Sequence, residues 1–145
     1  MVRAVLLILV VLLPASGSTL SEEAGAFIDR LAAQGFPGTG IVRMELNLLE
    51  PCTLTIYPPE GSPAGFVIGM GGNNLLDLHL RLEGDGWVLE DSLLDDLPVL
   101  KVDSSMTAGS MYVTVCARDM IRGCMTDSAV VIWAFAPVDP ESPTQ

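Results

Sequence analysis

The spacing of hydrophobic positions divides the chain into three parts, of which the first is a short apolar run. Residues 4–13 are all apolar and follow Arg3, which carries the single charge of this region. A bilayer-spanning helix needs about 20 apolar residues, so the run is too short to cross a membrane. Small residues, Ala15 and Gly17, follow it closely, as at a signal-peptidase site. We predict a cleaved signal peptide over residues 1–17, a secreted or periplasmic protein, and no membrane span in the mature chain.

The second part has the spacing of an amphipathic helix. Thr19 and Glu22 have the spacing of a capping box. Apolar residues then recur at the intervals of one helix face, namely Phe27, Ile28 and Leu31. Turn-forming residues follow Gly35. The pattern predicts a helix over residues 21–34, within an N-terminal segment of helix and turn over residues 18–40, and we expect its apolar face to pack on the rest of the domain.

The third part alternates with a period of two, as β-strands do. The clearest alternation places Leu76, Leu78, Leu80 and Leu82 on one face and Asp77, His79 and Arg81 on the other, solvated face. Eight such strands are predicted, at residues 41–48, 52–57, 66–70, 75–82, 87–89, 99–102, 111–117 and 129–135. Short strands with no helix between them imply antiparallel pairing in a sandwich or barrel over residues 41–136. Residues 137–145 hold three prolines and are predicted to form a disordered tail.

Composition and charge narrow the class of protein. Half of the residues are apolar and 17% are charged, which is typical of one globular domain. The formal net charge is −11, and loss of Arg3 with the signal peptide lowers it to −12. Such a surface repels phosphate backbones and anionic lipids, so we expect no nucleic-acid partner. A basic partner or a cation remains compatible with the charge.

Three cysteines lie in the exported part, where disulfides are permitted. Because the number is odd, at most one bridge forms within the chain. Cys116 and Cys124 are the nearest pair, and we predict this disulfide. A bridge from Cys52 to either of them is the alternative, and spacing does not decide between them.

Three stretches together resemble the bacterial pre-peptidase C-terminal (PPC-like) domain family. They are residues 64–69, where a glycine precedes an aromatic-led strand; residues 77–80 with the Asp-Gly hairpin and acidic turn at 84–91; and residues 108–115, with a Gly-x-Tyr strand. The resemblance covers residues 65–135, and the predicted helix and residues 118–127 are not part of it. It implies a small jelly-roll-like β-sandwich and an accessory binding or processing role. With the strand pattern, it predicts a mainly β fold, an antiparallel two-sheet sandwich with one short N-terminal α-helix.

Candidate chemistry is sparse. His79 is the only histidine and so the only ready general base. Its predicted place on a solvated face between Asp77 and Arg81 is that of an ordinary surface residue. We therefore predict no catalytic residue and no enzymatic activity.

Calcium is the one cofactor that the sequence leaves open. Carboxylates that are suitable hard ligands cluster in and after the predicted hairpin, at Asp85, Asp91, Asp95 and Asp96. Some members of the resembled family bind calcium. The spacing differs from that of an EF-hand loop, and acidic turns are more often simply solvated.

The sequence thus predicts a secreted, non-enzymatic β-sandwich module that binds a protein, peptide or polysaccharide through one face or edge. Trp87 and Trp133 are expected to anchor the core or its rim, and an exposed one would form a platform for sugar or peptide. The alternative is a structural, envelope-associated or self-associating protein whose N-terminal helix docks on a partner or on a second copy.

Overall fold

The computed structural model describes residues 19–36 and 38–138 and contains one α-helix and eight β-strands there. The helix, α1, spans Leu20–Ala33. The strands are β1 (Gly38–Asn47), β2 (Cys52–Ile56), β3 (Ala64–Gly71), β4 (Leu75–Gly84), β5 (Trp87–Glu90), β6 (Val99–Asp103), β7 (Met111–Met120) and β8 (Thr126–Phe135). The predicted signal peptide and all but the first two residues of the predicted tail lie outside the described residues. No helix in the described part has the length and apolar content needed to cross a bilayer.

Both ends of α1 carry a capping motif. The hydroxyl of Thr19 accepts a hydrogen bond from the backbone N–H of Glu22 at 3.1 Å. At the other end Gly35 has a φ of 97°, and the N–H of Phe36 returns to the carbonyl of Leu31 at 3.0 Å. This geometry is a Schellman motif, in which a glycine adopts the left-handed conformation that other residues avoid. The helix therefore begins and ends one residue earlier than predicted.

The strands form two antiparallel sheets that pack face to face as a jelly-roll-like sandwich. Sheet A has the order β1-β8-β3-β6 and sheet B the order β2-β7-β4-β5. The first strand thus pairs with the last, the second with the seventh, the third with the sixth and the fourth with the fifth. This nesting is that of a long hairpin rolled up on itself, and the predicted fold class is confirmed.

Apolar side chains form two core clusters. The main core lies between the sheets and includes Val67, Leu80 and Val131, all fully buried. A second core lies between the outer face of sheet A and the helix, where Phe27 and Leu31 are at most 1% exposed. The apolar face of the helix is therefore used within the chain, as expected. The alternative in which this helix docks on a partner stays a prediction.

The ladder between β4 and β7 contains two matched irregularities. β4 has one extra residue, Leu76, and β7 has one extra residue, Arg118, so the register shifts and is then restored. As a result Leu75, which is 3% exposed, points into the core, whereas Leu76 is 49% exposed. The prediction that Leu76 shares the buried face is wrong. The other three leucines of the predicted face, at positions 78, 80 and 82, are buried.

Residues 91–98 form a crossing segment that joins the two sheets along one side. At its start the N–H of Asp91 bonds to β4, and the carbonyl of Asp95 accepts a second bond from that strand. At its end the carbonyls of Asp96 and Pro98 accept bonds from β3. The segment therefore covers part of the edge of each sheet.

Candidate functional site

A cleft opens at the end of the sandwich where the β4–β5 turn meets the loop between β6 and β7. Its volume is about 340 Å³, near the lower end of the range of about 300–1,000 Å³ for small-molecule sites. The lining includes Trp87, Met106, Tyr112, Asp85, Ser105 and Ser110, and no Lys or Arg of the described part of the chain. Aromatic rings with a few polar groups suit an uncharged polar molecule.

Trp87 is positioned by a glycine on the neighbouring strand. Gly84 is its cross-strand partner in the β4–β5 hairpin. A Cβ atom at Gly84 would lie 2.4 Å from Nε1 of Trp87, so the indole occupies the space that a side chain would need. Such covering of a glycine by an aromatic ring fixes the register of a strand pair. The half-buried ring both packs against the main core and lines the cleft.

Two tyrosines lie at the same end of the molecule. Tyr112, on the outer face of β7, is 49% exposed, and Tyr57, which directly follows β2, is 79% exposed. The last residue of β2, Ile56, pairs with Met111, the first residue of β7, which places the two tyrosines at one end. The chain has two tryptophans and two tyrosines. Three of these four side chains therefore reach the surface at the cleft end.

Trp133 has a different role from Trp87. A Cβ atom at Gly40, its cross-strand partner in sheet A, would lie 2.1 Å from Cε2 of the Trp133 ring. The ring covers this glycine and packs against the main core. Both tryptophans that the sequence proposes as anchors are half-buried and pack against the main core, and Trp87 also lines the cleft.

His79 is buried rather than solvated, and the prediction of a wet surface residue is wrong. Its side chain is 8% exposed, and its Nε2 lies 2.8 Å from Oε1 of Glu90. Asp77, on the same face of β4, is also only 8% exposed. Alternation correctly places both residues on the face away from the main core. Pattern alone does not reveal that the side chain of Glu90, from β5, reaches His79 on that face.

Cys116 is the cross-strand partner of His79 on β7. Burial raises the pKa of the Cys116 thiol, an effect that Arg118 opposes and Asp77 reinforces. The thiol is therefore protonated at neutral pH, whereas a nucleophilic cysteine must be a thiolate. The juxtaposition of Cys116 with His79 does not produce an activated nucleophile in this state.

The four calcium candidates do not come together. Asp85 lies in the exposed turn at the cleft, whereas Asp91, Asp95 and Asp96 lie in the crossing segment. Within residues 19–36 and 38–138, no group of three or more His, Cys, Asp or Glu side chains is arranged to hold a metal ion. Calcium binding itself stays a prediction.

Asp91 is the most unusual of these carboxylates. One oxygen, Oδ1, accepts the N–H of Leu93 at 3.3 Å, but Oδ2 is buried without a hydrogen-bond partner among the described residues. Burial raises the pKa of Asp91, and the negative charges of Asp95 and Asp77 raise it further, against the lowering effects of the Leu93 N–H and of His79. Burial likewise raises the pKa of Asp96. The sequence gives no sign of this, because both aspartates read as solvated turn residues.

All three cysteines are free thiols in the structure, so the predicted Cys116–Cys124 disulfide is absent from it. The two residues are close in sequence but lie on opposite sides of sheet B. Cys116 is on the outer face beside His79, whereas Cys124 packs against the main core. Cys52, at the start of the edge strand β2, is exposed.

No family model matches the chain, and no curated protein matches it in sequence. A de novo designed double-stranded β-helix, solved by solution NMR, is 11% identical, with a TM-score of 0.35 over 66% of this chain and 97% of its own. A crystal structure of FLHE is 13% identical, with a TM-score of 0.35 over 69% of this chain and 99% of its own. A family GH115 4-O-methyl-alpha-glucuronidase, BtGH115A, is 11% identical, with a TM-score of 0.34 over 69% of this chain and 16% of its own. Likenesses this distant carry no argument about function.

Proposed function

We propose that this protein is an exported, non-enzymatic binding module whose end cleft takes a segment of an uncharged polysaccharide. The observation that supports this most directly is the gathering of Trp87, Tyr112 and Tyr57 at one end of the sandwich. Aromatic rings that carry a polar atom offer an apolar face for a sugar ring and a hydrogen bond for a hydroxyl group. The hydroxyls of Ser105 and Ser110 add further polar groups at the cleft.

Charge favours an uncharged ligand over an anionic one. Among the described residues, the ionisable groups in the cleft lining are Asp85 and the Tyr112 phenol, and the whole chain has a net charge of −11. The field of such a surface repels polyanions and lowers their local concentration. Polysaccharides that contain uronic acids or sulfate are therefore expected to bind more weakly than neutral ones.

The site is tested by replacing Tyr112 with alanine. Isothermal titration calorimetry with a panel of neutral oligosaccharides of glucose, mannose and galactose identifies the best ligand. Tyr112→Ala is then expected to lower the affinity for that ligand about tenfold, or about 1.4 kcal/mol, through loss of one aromatic contact. The parallel titration with a uronic-acid oligosaccharide is expected to show weaker binding.

Ile121→Ala is the matched control. Ile121 follows β7 at the opposite end of the same strand and has a similar exposure, 43% against 49% for Tyr112. Its removal is expected to leave the affinity unchanged. The proposal fails if no neutral oligosaccharide binds, or if Tyr112→Ala and Ile121→Ala weaken binding equally.

A further inference from the structure

Among the residues that the structure describes, no strand pairs with the outer edge of β1. β1 is an edge strand of sheet A, and within this part of the chain its ten residues pair with β8 alone. By contrast, the crossing segment occupies part of the edges of β3 and β4. An exposed edge strand is a template for pairing with another strand.

The register shows which groups of β1 point outward. Leu48 continues the β1–β8 ladder, and its N–H bonds to the carbonyl of Met125 at 2.8 Å. In an antiparallel pair, consecutive residues direct their polar groups alternately toward and away from the neighbour. Val42 and Met44 therefore face β8, whereas the N–H and C=O groups of Arg43 and Glu45 face the open edge.

Arg43 and Glu45 carry opposite charges, and neither forms an ion pair within the described residues. The guanidinium of Arg43 donates hydrogen bonds to the hydroxyls of Ser21 and Ser128, at 3.1 and 3.2 Å. The carboxylate of Glu45 shares the Ser128 hydroxyl. Arg43 and Glu45 are both exposed and stand on either side of Met44.

We propose that two copies of this chain pair through β1, antiparallel, about a two-fold axis at Met44. This register places Arg43 of each copy directly opposite Glu45 of the other. Both pairs are hydrogen-bonded pairs, because the outward-facing groups belong to these residues. If the two-fold axis moved by one residue, to Arg43, then Arg43 of one copy would lie opposite Arg43 of the other. Like charges directly opposite each other are destabilising. Charge complementarity thus selects both the partner, a second copy, and the register.

Apolar contacts support the same arrangement on the other face of the strand. Met44 is half-buried at the margin of the main core. At the two-fold axis it meets Met44 of the other copy in a non-hydrogen-bonded pair, in which side chains approach most closely. Sheet A of one copy then continues into sheet A of the other as one sheet of eight strands, with closed two-fold symmetry.

The first test is charge reversal. Sedimentation velocity measures the dimerisation of each variant, prepared in the form of the protein that accumulates in its host. Wild type is expected to be dimeric. Arg43→Glu and Glu45→Arg are each expected to weaken dimerisation at least about tenfold, because each opposes like charges. The double exchange Arg43→Glu with Glu45→Arg restores complementarity and is expected to return the dissociation constant to within about threefold of wild type.

The same measurements distinguish an edge strand that pairs with a second copy from one whose charges prevent pairing. Charged residues on an edge strand can serve to discourage unwanted pairing. In that case wild type is a monomer, and the proposal is overturned. A dimer that is indifferent to both single reversals uses another surface and overturns it equally. Circular dichroism of each variant shows whether a loss of dimer reflects a loss of fold.

A crosslink provides a second readout that does not depend on charge. In a Cys52→Ser background, Met44→Cys is expected to form a disulfide with the same position of the second copy under mild oxidation. Cα atoms of a non-hydrogen-bonded pair lie about 4.5 Å apart, within the disulfide range of about 4.4–6.8 Å. Ile41→Cys is the control, because in this register position 41 lies opposite Asn47. Equal crosslinking of the two variants, or none, contradicts the register.

Discussion

At the scale of single residues, Asp91 couples the fold to pH. A buried acceptor without a partner costs about 1–3 kcal/mol, and Oδ2 of Asp91 has none among the described residues. Because burial raises the pKa of Asp91 in the folded state, the Asp91 carboxyl group binds its proton more tightly in the native protein than in the unfolded chain. By linkage, the contribution of Asp91 to stability is present in full below the ordinary aspartate pKa and is lost as the pH rises through the raised value.

Asp91→Asn removes this titration. We expect the variant to be more stable than wild type by about 1 kcal/mol at about pH 8, and equal to it at about pH 3, which lies below the ordinary pKa of an aspartate. Urea unfolding at the two pH values measures the difference. Asp85→Asn, which removes the same charge from an exposed turn, is the control. A stability gain for Asp91→Asn that does not depend on pH would contradict this account.

The burial of individual polar residues was the part of the site least accessible to prediction. Alternation correctly places His79 on the outer face of β4, but exposure depends on what later segments cover. Glu90 and residues 91–98 follow His79 in the chain. Their contacts with His79 and with β4 belong to the tertiary structure, which local spacing does not reveal. The cleft was partly foreseeable, because the Gly84–Gly86 turn with Trp87 after it predicts a hairpin tip that carries an aromatic residue.

At the scale of elements, the helix is held mainly by Phe27 and Leu31, which pack on the outer face of sheet A. Phe27→Ala is expected to lower the free energy of unfolding by about 3–5 kcal/mol, since a fully buried ring is removed from the second core. Urea denaturation followed by far-ultraviolet circular dichroism measures this loss.

Asp29→Ala, on the exposed side of the same helix, is the control for this prediction and is expected to change stability by less than about 0.5 kcal/mol. A loss below about 1 kcal/mol for Phe27→Ala would mean that the helix contributes little to the stability of the sandwich.

Helix and strand types follow from local spacing, which is why they could be predicted. Phe27 and Leu31 recur at the helical interval, and Leu78, Leu80 and Leu82 at the interval of a strand. Leu76 was assigned to the wrong face because a bulge changes the phase of the alternation without any local signature. The order of strands in the sheets is likewise invisible to spacing, since it depends on contacts between residues far apart in the chain.

At the scale of the whole molecule, nested pairing predicts how the sandwich forms. The β4–β5 hairpin joins neighbours in the chain, whereas β1 and β8 join segments about 90 residues apart. Closing the longer loop costs more conformational entropy before any contact offsets it. We expect pairing to begin at β4–β5 and to end at β1–β8, with folding in milliseconds to seconds, as in other sandwiches rich in long-range contacts.

Two variants test this order by stopped-flow fluorescence of the tryptophans. Gly86→Ala is strained, because Gly86 has a φ of 80°, and it is expected mainly to slow refolding. Met44→Ala, on the strand that pairs last, is expected mainly to accelerate unfolding. The reverse assignment of the two effects would show that the ends of the chain meet first.

The paired irregularities of β4 and β7 restrict how this chain can change in length. Leu76 and Arg118 are surplus positions that compensate for one another across the ladder. Deletion of one alone would leave the other uncompensated and misalign the ladder beyond it, whereas deletion of both would leave a regular one. We therefore expect the two positions to be gained or lost together in related chains, although about 40 residues separate them.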